Sequence, residues 1–356
     1  MISFPLNNVP TLFIQGFTAD DVQTILEFAR RASSERSDHD NTILFIDTPP
    51  TVRTIEAIHK LTDEGYRVIF RDHHGCDGEP ADEGDRQRIK AAAKLEKLLG
   101  SDCTISVRSL HPACSTLVDV GEFKHATAIV ADPDADGLTA AMKAAGIFYP
   151  ELDEDAAKLD SEPSVQVTGS PISSLLAKGI ATLPSYDPKL PKQREQAQSK
   201  LFAQWVRAVQ GDAKAMTAFE EIVSAYDSAT VSSRQIAVTA KEVAPGVMLA
   251  NVVDAPPFDV GTLLSELEQK PGCLLTVIRK DKGPIAALHG IQYSISVRKS
   301  EQNRINLKHL LAPHLRSDPN AGVISNVSFV LHVSEDVWHE YILPALRAPD
   351  VFKKAN

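Results

Sequence analysis

The sequence predicts an α/β protein with a mainly parallel sheet and helices on both faces, followed by a smaller α+β domain. Three observations predict this fold class. Short β-branched runs alternate with helical patterns in the first half of the chain. Three prolines between residues 184 and 191 exclude a continuous helix, and strand patterns predominate after residue 232. We therefore predict a larger first domain over 1–184, linker helices over 185–231 and a smaller second domain over 232–356.

The elements of the first domain follow in chain order. Strands are predicted at 11–15, 41–47, 67–71, 104–107 and 126–131, and helices at 20–32, 51–64, 86–99, 137–145, 151–160 and 173–183. An acidic first turn, with Arg30 and Arg31 near the end, supports the first helix, and Gly65 ends the second. Residues 193–229 predict one or two amphipathic helices. In the second domain we predict strands at 247–253, 273–279, 293–298 and 327–333, and helices at 260–269 and 336–347.

Composition narrows the function classes. The 356 residues carry a formal net charge of −10, which argues against broad affinity for duplex nucleic acid. The four cysteines lack the paired spacing of a disulfide framework or a zinc knuckle. The N-terminus does not read as a signal peptide, and no run approaches the ~18 apolar residues of a membrane span. We expect a soluble, cytoplasmic protein without a membrane partner.

Potential metal ligands follow three predicted strands. Asp72, His73 and His74 come directly after the strand at 67–71, and Asp47 ends the strand at 41–47. In α/β sheets, ligands bind where the carboxyl ends of the strands converge. The pair His73 and His74 alone fits an ordinary loop about equally well, and Asp47 alone is weak because strands often end in aspartate.

The segment 132–137, Asp-Pro-Asp-Ala-Asp-Gly, follows the strand at 126–131 and precedes a helix. In extended backbone, residues two apart point to the same side, so Asp132, Asp134 and Asp136 can face one point. Three such carboxylates repel one another unless a cation compensates them. The alternative is that Asp134 or Asp136 caps the following helix, for which one aspartate would suffice.

Mixed carboxylate and imidazole ligands without thiolates favour Mn²⁺ over structural zinc, with Mg²⁺, Fe²⁺ or Co²⁺ as substitutes. Two such ions would polarise a phosphoryl oxygen and acidify a water molecule, which is the chemistry of phosphoester hydrolysis.

These residues resemble the DHH phosphoesterase superfamily, which includes RecJ-type exonucleases, nano-RNases and exopolyphosphatases. Asp134-Ala-Asp136-Gly137 resembles its first motif, Asp47 its second and Asp72-His73-His74 its third. The resemblance implies metal ligation by Asp47, His73, Asp134 and Asp136. It implies that His74 binds metal or phosphate, that Asp72 binds metal or orients a histidine, and that Asp132 supplies a remaining carboxylate. Asp136, His73 and His74 would be the catalytic residues.

Two departures from the family accompany the resemblance. Its first motif normally precedes the third, so we predict a rearranged topology, with Asp20 and Asp21 as weaker claimants to the first-motif role. The glycine-rich stretch with histidine that holds substrate is replaced near 320–327 by a stretch with one glycine and no histidine. Arg298 and His111 are our candidates for substrate contacts. For Arg298, a solvent-facing strand arginine is an equal alternative.

Three functions remain open at this stage. The first is Mn²⁺-dependent hydrolysis of a phosphodiester in an oligonucleotide, a single-stranded nucleic acid or a nucleotide second messenger. The second is phosphoanhydride hydrolysis of pyrophosphate or polyphosphate, for which 280–282, Lys-Asp-Lys, is the candidate basic cluster. The third is a non-catalytic relative that binds a nucleotide or a protein. A homodimer is left open.

Overall fold

The computed structural model describes most of the chain, namely residues 2–14, 18–35, 40–76, 83–161, 170–183, 193–283, 285–302, 304–311, 323–327, 329–348 and 352. Two compact units are present. The first comprises Met1–Ile180 and Glu195–Phe219, and the second comprises Ala181–Arg194 and Glu220–Asn356. The predicted boundary at 184–191 lies outside the described residues, as do residues 15–17 and 320–322 of the motif comparisons.

The first unit contains the mainly parallel sheet that the sequence predicts. Its strands are β1 (Ile2–Leu6), β2 (Val9–Phe13), β3 (Thr42–Ile46), β4 (Arg67–Asp72), β5 (Cys103–Ile105) and β6 (Ala128–Ala131). Their order across the sheet is β1-β2-β6-β3-β4-β5. Strands β1 and β2 pair antiparallel, and every other pairing in this sheet is parallel. The predicted fold class is confirmed.

Helices cover both faces of this sheet. They are α1 (Ala19–Glu35), α2 (Val52–Asp63), α3 (Glu83–Leu99), α4 (Ala135–Ala144), α5 (Pro150–Ser161), α6 (Pro171–Ala181) and α7 (Gln193–Val209). Ile43 and Phe45 of β3 join a core with α1 and α2, and α4 packs against β3 and β6. All five residues of β3 are buried, as expected for a strand with both faces covered. Helix α7 groups with the first unit.

The second unit is built on a mostly antiparallel sheet. Its strands are β7 (Lys241–Ala244), β8 (Val247–Asn251), β9 (Leu275–Lys280), β10 (Gln292–Val297), β11 (Val323–Val327) and β12 (Val330–Ser334), in the order β11-β12-β10-β9-β8-β7. Its helices are α9 (Val260–Glu268), α10 (Ala286–His289), α11 (Leu307–Leu311), α12 (Glu335–Val337), a π-helical turn (Trp338–Ile342) and α13 (Leu343–Arg347). Trp338 stacks on Tyr293 within its core.

Helix α8 (Ala213–Thr239) extends further than the sequence predicts. Strands were expected from residue 232, but the helix continues to 239 and the first strand of the second unit begins at 241. The β-branched and serine residues near 230–233 do not end the helix. Ser232 and Ser233 donate hydrogen bonds to carbonyls one turn earlier, as serines within a helix commonly do. Among the described helices, none has the length and apolar character needed to cross a bilayer.

The sheet of the first unit brings three strand ends together. Ile46 of β3 pairs with Ala131 of β6 on one side and with Arg71 of β4 on the other. The residues that follow these strands therefore emerge side by side at the same edge of the sheet. This edge carries the candidate site.

Candidate metal centre

Asp47 is the residue that follows β3, and it is completely buried. Its backbone has φ of 56°, a left-handed conformation that aspartate tolerates better than most residues. Its N–H donates to the carbonyl of Arg71 at 2.9 Å, which fixes the turn to the neighbouring strand. The turn directs the Asp47 carboxylate towards the histidines that follow β4.

His73 lies beside Asp47 and is also fully buried. Its Nδ1 donates to the carbonyl of His111 at 2.8 Å, so Nε2 is the ring nitrogen with a lone pair. Nε2 is 3.3 Å from Oδ1 of Asp47 and 3.3 Å from Oδ2 of Asp136. Burial is the main cause that lowers the pKa of His73, with His74 and Arg108 acting in the same direction. A neutral imidazole with its lone pair towards carboxylates is in the form that binds metal.

Asp72 holds His74 through both of its carboxylate oxygens. The backbone N–H of His74 donates to Oδ2 at 2.9 Å, and its Nδ1 donates to Oδ1 at 2.8 Å. The same Nδ1 lies 3.7 Å from Oδ1 of Asp47. Arg108 donates from Nη2 to Nε2 of His74 at 2.9 Å. These contacts agree with the orienting role for Asp72 that the resemblance implies as one alternative.

The segment after β6 reaches the site, but it does not stay extended as the sequence argument expected. Helix α4 begins at Ala135, so Asp134 and Asp136 are not both on extended backbone. Asp134 is the N-cap, and its Oδ1 accepts from the N–H of Gly137 at 2.7 Å. Asp136 lies in the first helical turn, is fully buried, and accepts from the N–H of Cys114 at 2.8 Å. The alternation argument was therefore wrong about the backbone, and the capping alternative holds for Asp134.

Gly137 allows this tight turn. A Cβ atom at Gly137 would collide with the carbonyl oxygen of Asp132. The close approach of backbone to backbone explains why glycine follows Asp136 here. It also keeps Asp132, which is half-buried, next to the start of α4.

The carboxylates of the cluster need a cation to compensate their negative charge. Burial is the main cause that raises the pKa of Asp47 well above its usual value, and the charges of Asp134, Asp136, Asp72 and Asp132 raise it further, in that order. Within the described part of the chain, neither carboxylate oxygen of Asp47 has a hydrogen-bond donor, and neither has Nε2 of His73. Buried polar atoms without partners are rare, and five neighbouring carboxylates repel one another.

The donor set fits a divalent metal ion. Ligand-type atoms of Asp47, His73 and His74 lie within 4.8 Å of one another. Carboxylate oxygens with imidazole nitrogens suit Mn²⁺, Mg²⁺, Fe²⁺ or Co²⁺, and the geometry does not choose among them. Asp136 lies within the same group through its contact with His73.

Segment 106–116 contributes contacts that the sequence interpretation missed. His111 acts on the site through its backbone carbonyl, while its ring hydrogen-bonds the hydroxyl of Thr116 at 2.8 Å. The backbone N–H of Cys114 and the side chain of Arg108 are further contacts. Contacts made by backbone groups cannot be predicted from residue type, because every residue has a backbone carbonyl. Arg108 could have been suspected only from its place soon after a strand adjoining β4.

Arg298, Asp20 and Asp21 are the remaining candidates. Arg298 belongs to the second unit, where its Nη1 donates to the carbonyl of Cys273 at 3.3 Å; its substrate role stays a prediction. Asp21 accepts from the N–H of Thr18 at 2.5 Å at the start of α1, so its carboxylate caps that helix. Asp20 is exposed.

Comparison with family models finds no match, and comparison with curated proteins finds none either. The solved structures that resemble this chain include a member of a family of ribosomal proteins, described as a DHH domain. It shows 13% identity and a TM-score of 0.38, covering 95% of this chain and 74% of its own. Another is a pGpG-specific phosphodiesterase from Vibrio cholerae, with 14% identity and a TM-score of 0.36, covering 74% of this chain and 94% of its own. The first description names the family that the motifs resemble, but neither likeness is close enough to indicate the activity of this chain.

Proposed function

We propose that this protein is a manganese-dependent phosphoesterase that hydrolyses phosphodiester bonds in short or single-stranded nucleic acids or nucleotide second messengers. One observation carries the proposal. The ends of β6, β3 and β4 bring buried carboxylates and a neutral imidazole together, with the Asp47 oxygens lacking hydrogen-bond donors among the described residues. Such a cluster is costly to bury unless cations occupy it.

Asp47, His73 and Asp136 would hold the metal ions, with Asp132, Asp134 and His74 around them. Bound Mn²⁺ would supply Lewis acidity towards a phosphoryl oxygen and would lower the pKa of a water molecule. The chain supplies the orientation of the ligands. The carbonyl of His111 keeps Nε2 of His73 directed at the carboxylates, and the N–H of Cys114 fixes Asp136. Such supporting hydrogen bonds tune ligand geometry and basicity.

The acidic composition favours a short substrate. With a net charge of −10, the chain offers no general attraction for a long polyanion. A short phosphodiester held mainly by metal ions needs few basic contacts. Phosphoanhydride hydrolysis would need a lysine cluster at the metal ions, for which 280–282 is the candidate from the sequence.

The test is a substrate panel with the full chain and Mn²⁺. It compares linear dinucleotides, cyclic dinucleotides, bis-p-nitrophenyl phosphate and polyphosphate, with chelator-treated protein as the blank. Asp136→Asn should abolish hydrolysis, because it removes a buried ligand charge. Asp63→Asn is the matched control, since Asp63 is an exposed aspartate on α2. Its activity should equal that of the wild type.

Each outcome separates the functions. Mn²⁺-dependent cleavage of a diester that is lost in Asp136→Asn supports the proposal. Cleavage of polyphosphate alone would assign the phosphoanhydride activity instead. Absence of both cleavage and Mn²⁺ binding would identify a non-catalytic protein.

A further inference from the structure

The turn at 107–111 is fixed beside the metal centre by backbone hydrogen bonds. Val107 forms a bridge with His74, and the N–H groups of Leu110 and His111 both donate to the carbonyl of Val107, at 3.0 and 2.9 Å. Nearby, the N–H of Ser106 donates to the carbonyl of Asp72 at 2.8 Å. Because both ends of the turn are anchored, Arg108 begins from a defined position next to His74.

Arg108 completes a chain of hydrogen bonds that runs from the interior to the surface. An arginine can only donate, so Nε2 of His74 must accept from Nη2 of Arg108. The proton of the neutral ring is then on Nδ1, where it is donated to Asp72. Asp72 is fully buried, the His74 side chain is 15% exposed, and Arg108 is exposed. The chain thus places a guanidinium at the solvent side of the cluster.

The Arg108 guanidinium can offset negative charge at the site. Asp47, its four neighbouring aspartates and two divalent ions would leave an excess of negative charge, to which a phosphodiester adds more. A guanidinium presents N–H donors in a planar fork that matches phosphate oxygens. Arg71, on the strand before the histidines, donates from Nη1 to the carbonyls of Phe70 and Asp102.

We propose that Arg108 is the phosphate-binding residue of this site, contacting a non-bridging oxygen of the substrate while Asp72 and His74 hold its guanidinium in place. The assignment rests on the proposed phosphoesterase function, since it names the residue that would bind the substrate phosphate at the metal centre. In this assignment, His74 positions Arg108 and does not bind a metal ion through Nε2.

The test measures binding of inorganic phosphate to Mn²⁺-loaded full-length protein by calorimetry, which needs no turnover. Arg108→Ala should weaken phosphate binding about 10-fold or more, the usual effect of losing a charge-assisted hydrogen bond. Arg108→Lys should recover part of the loss, because lysine keeps the charge but not the fork. Arg88→Ala is the matched control, as Arg88 is an exposed arginine on α3 paired with Asp85. Mn²⁺ affinity, measured separately, should stay within about twofold in all three variants, because none removes a ligand.

The outcomes distinguish this assignment from the proposed function. Phosphate binding by Arg108→Ala within twofold of wild type would overturn it, and so would absence of phosphate binding to the wild type. Loss of phosphate affinity confined to the Arg108 variants would support it. If that loss is found but no diester is hydrolysed, the phosphoesterase activity fails and the anion-binding assignment stands. With an active enzyme, Arg108→Ala should in addition raise KM for a dinucleotide, whereas a purely structural effect would also lower the melting temperature.

Discussion

Replacing Asp47 with asparagine should change stability in opposite directions depending on whether a metal ion is bound. Burial and the neighbouring carboxylates raise the pKa of Asp47, so the folded protein binds its proton more tightly than the unfolded chain does. The ionised group therefore destabilises the metal-free fold as the pH rises above the unfolded pKa. Asparagine carries no charge, and its N–H group can donate to a neighbouring carboxylate. Metal-free Asp47→Asn should thus be more stable than wild type at neutral pH.

The metal-free effect is predicted as a direction, namely a gain in stability at pH 7. The effect of a bound metal ion has an estimable size. A ligand at 100 times its dissociation constant stabilises the folded state by about 2.7 kcal/mol. For a unit of this size, such stabilisation raises the melting temperature by roughly 5–11 °C. Mn²⁺ should give this rise in the wild type, and Asp47→Asn should lose most of it.

Thermal denaturation by circular dichroism, with chelator or with saturating Mn²⁺, measures both quantities. Asp102→Asn is a control with the opposite sign. The hydrogen bond from Arg67 lowers the pKa of Asp102, so its carboxylate stabilises the fold and its loss should lower the melting temperature. The Mn²⁺ shift should be retained in that variant. The reasoning about the cluster would be refuted if Asp47→Asn destabilised the metal-free protein and kept the full Mn²⁺ shift.

Three further predictions follow from the contacts of the site and of Cys103. Gly137→Ala should destabilise the protein by about 1–3 kcal/mol in denaturant titrations, because the added Cβ meets the Asp132 carbonyl. It should also reduce the rise in melting temperature that Mn²⁺ gives. An unchanged denaturation midpoint would contradict this prediction. His111→Ala removes the imidazole ring but keeps the backbone carbonyl that orients His73. Its loss of Mn²⁺ affinity, measured by calorimetry, should therefore be far smaller than the loss in His73→Ala. Equal losses would show that the His111 ring contributes to metal binding. Burial raises the pKa of Cys103 to about 11, so alkylation of this partly exposed thiol, followed by peptide mass spectrometry, should be slow at pH 8 and should accelerate towards pH 10. A rate independent of pH would contradict this prediction.

The sequence predicts the centre of the parallel sheet well because β3, β4 and β6 each contain an uninterrupted apolar run. β3 and β6 lie within the predicted strands, and the last residue of β4 extends one position beyond its prediction. The hairpin of β1 and β2 was missed in part because Pro5 and Pro10, which pair across it, argue against strands. The signal that could have revealed it is Asn7-Asn8, whose φ angles of 47° and 67° are those of a tight hairpin turn.

The site is predictable to the extent that it depends on strand ends. Asp47 and the pair at 73–74 follow β3 and β4, so their convergence follows from parallel pairing. What the sequence does not contain is the placement of β6 beside β3, which depends on long-range packing. Nor does it reveal that the His111 carbonyl and the Cys114 N–H hold the ligands, since any residue type can supply a backbone group.

The position of β6 also accounts for the unusual order of the motifs. In a parallel sheet, all strands present their carboxyl ends at one edge, so a site there depends on which strands are neighbours and not on their order in the chain. Strand β6 comes late in the sequence but lies between β2 and β3, where its following residues reach Asp47. The strand that precedes α1 lies one position further away, and the Asp21 carboxylate caps α1. Aspartates after β6 can therefore complete a cluster with Asp47 and His73, although the motif order differs from that of the family they resemble.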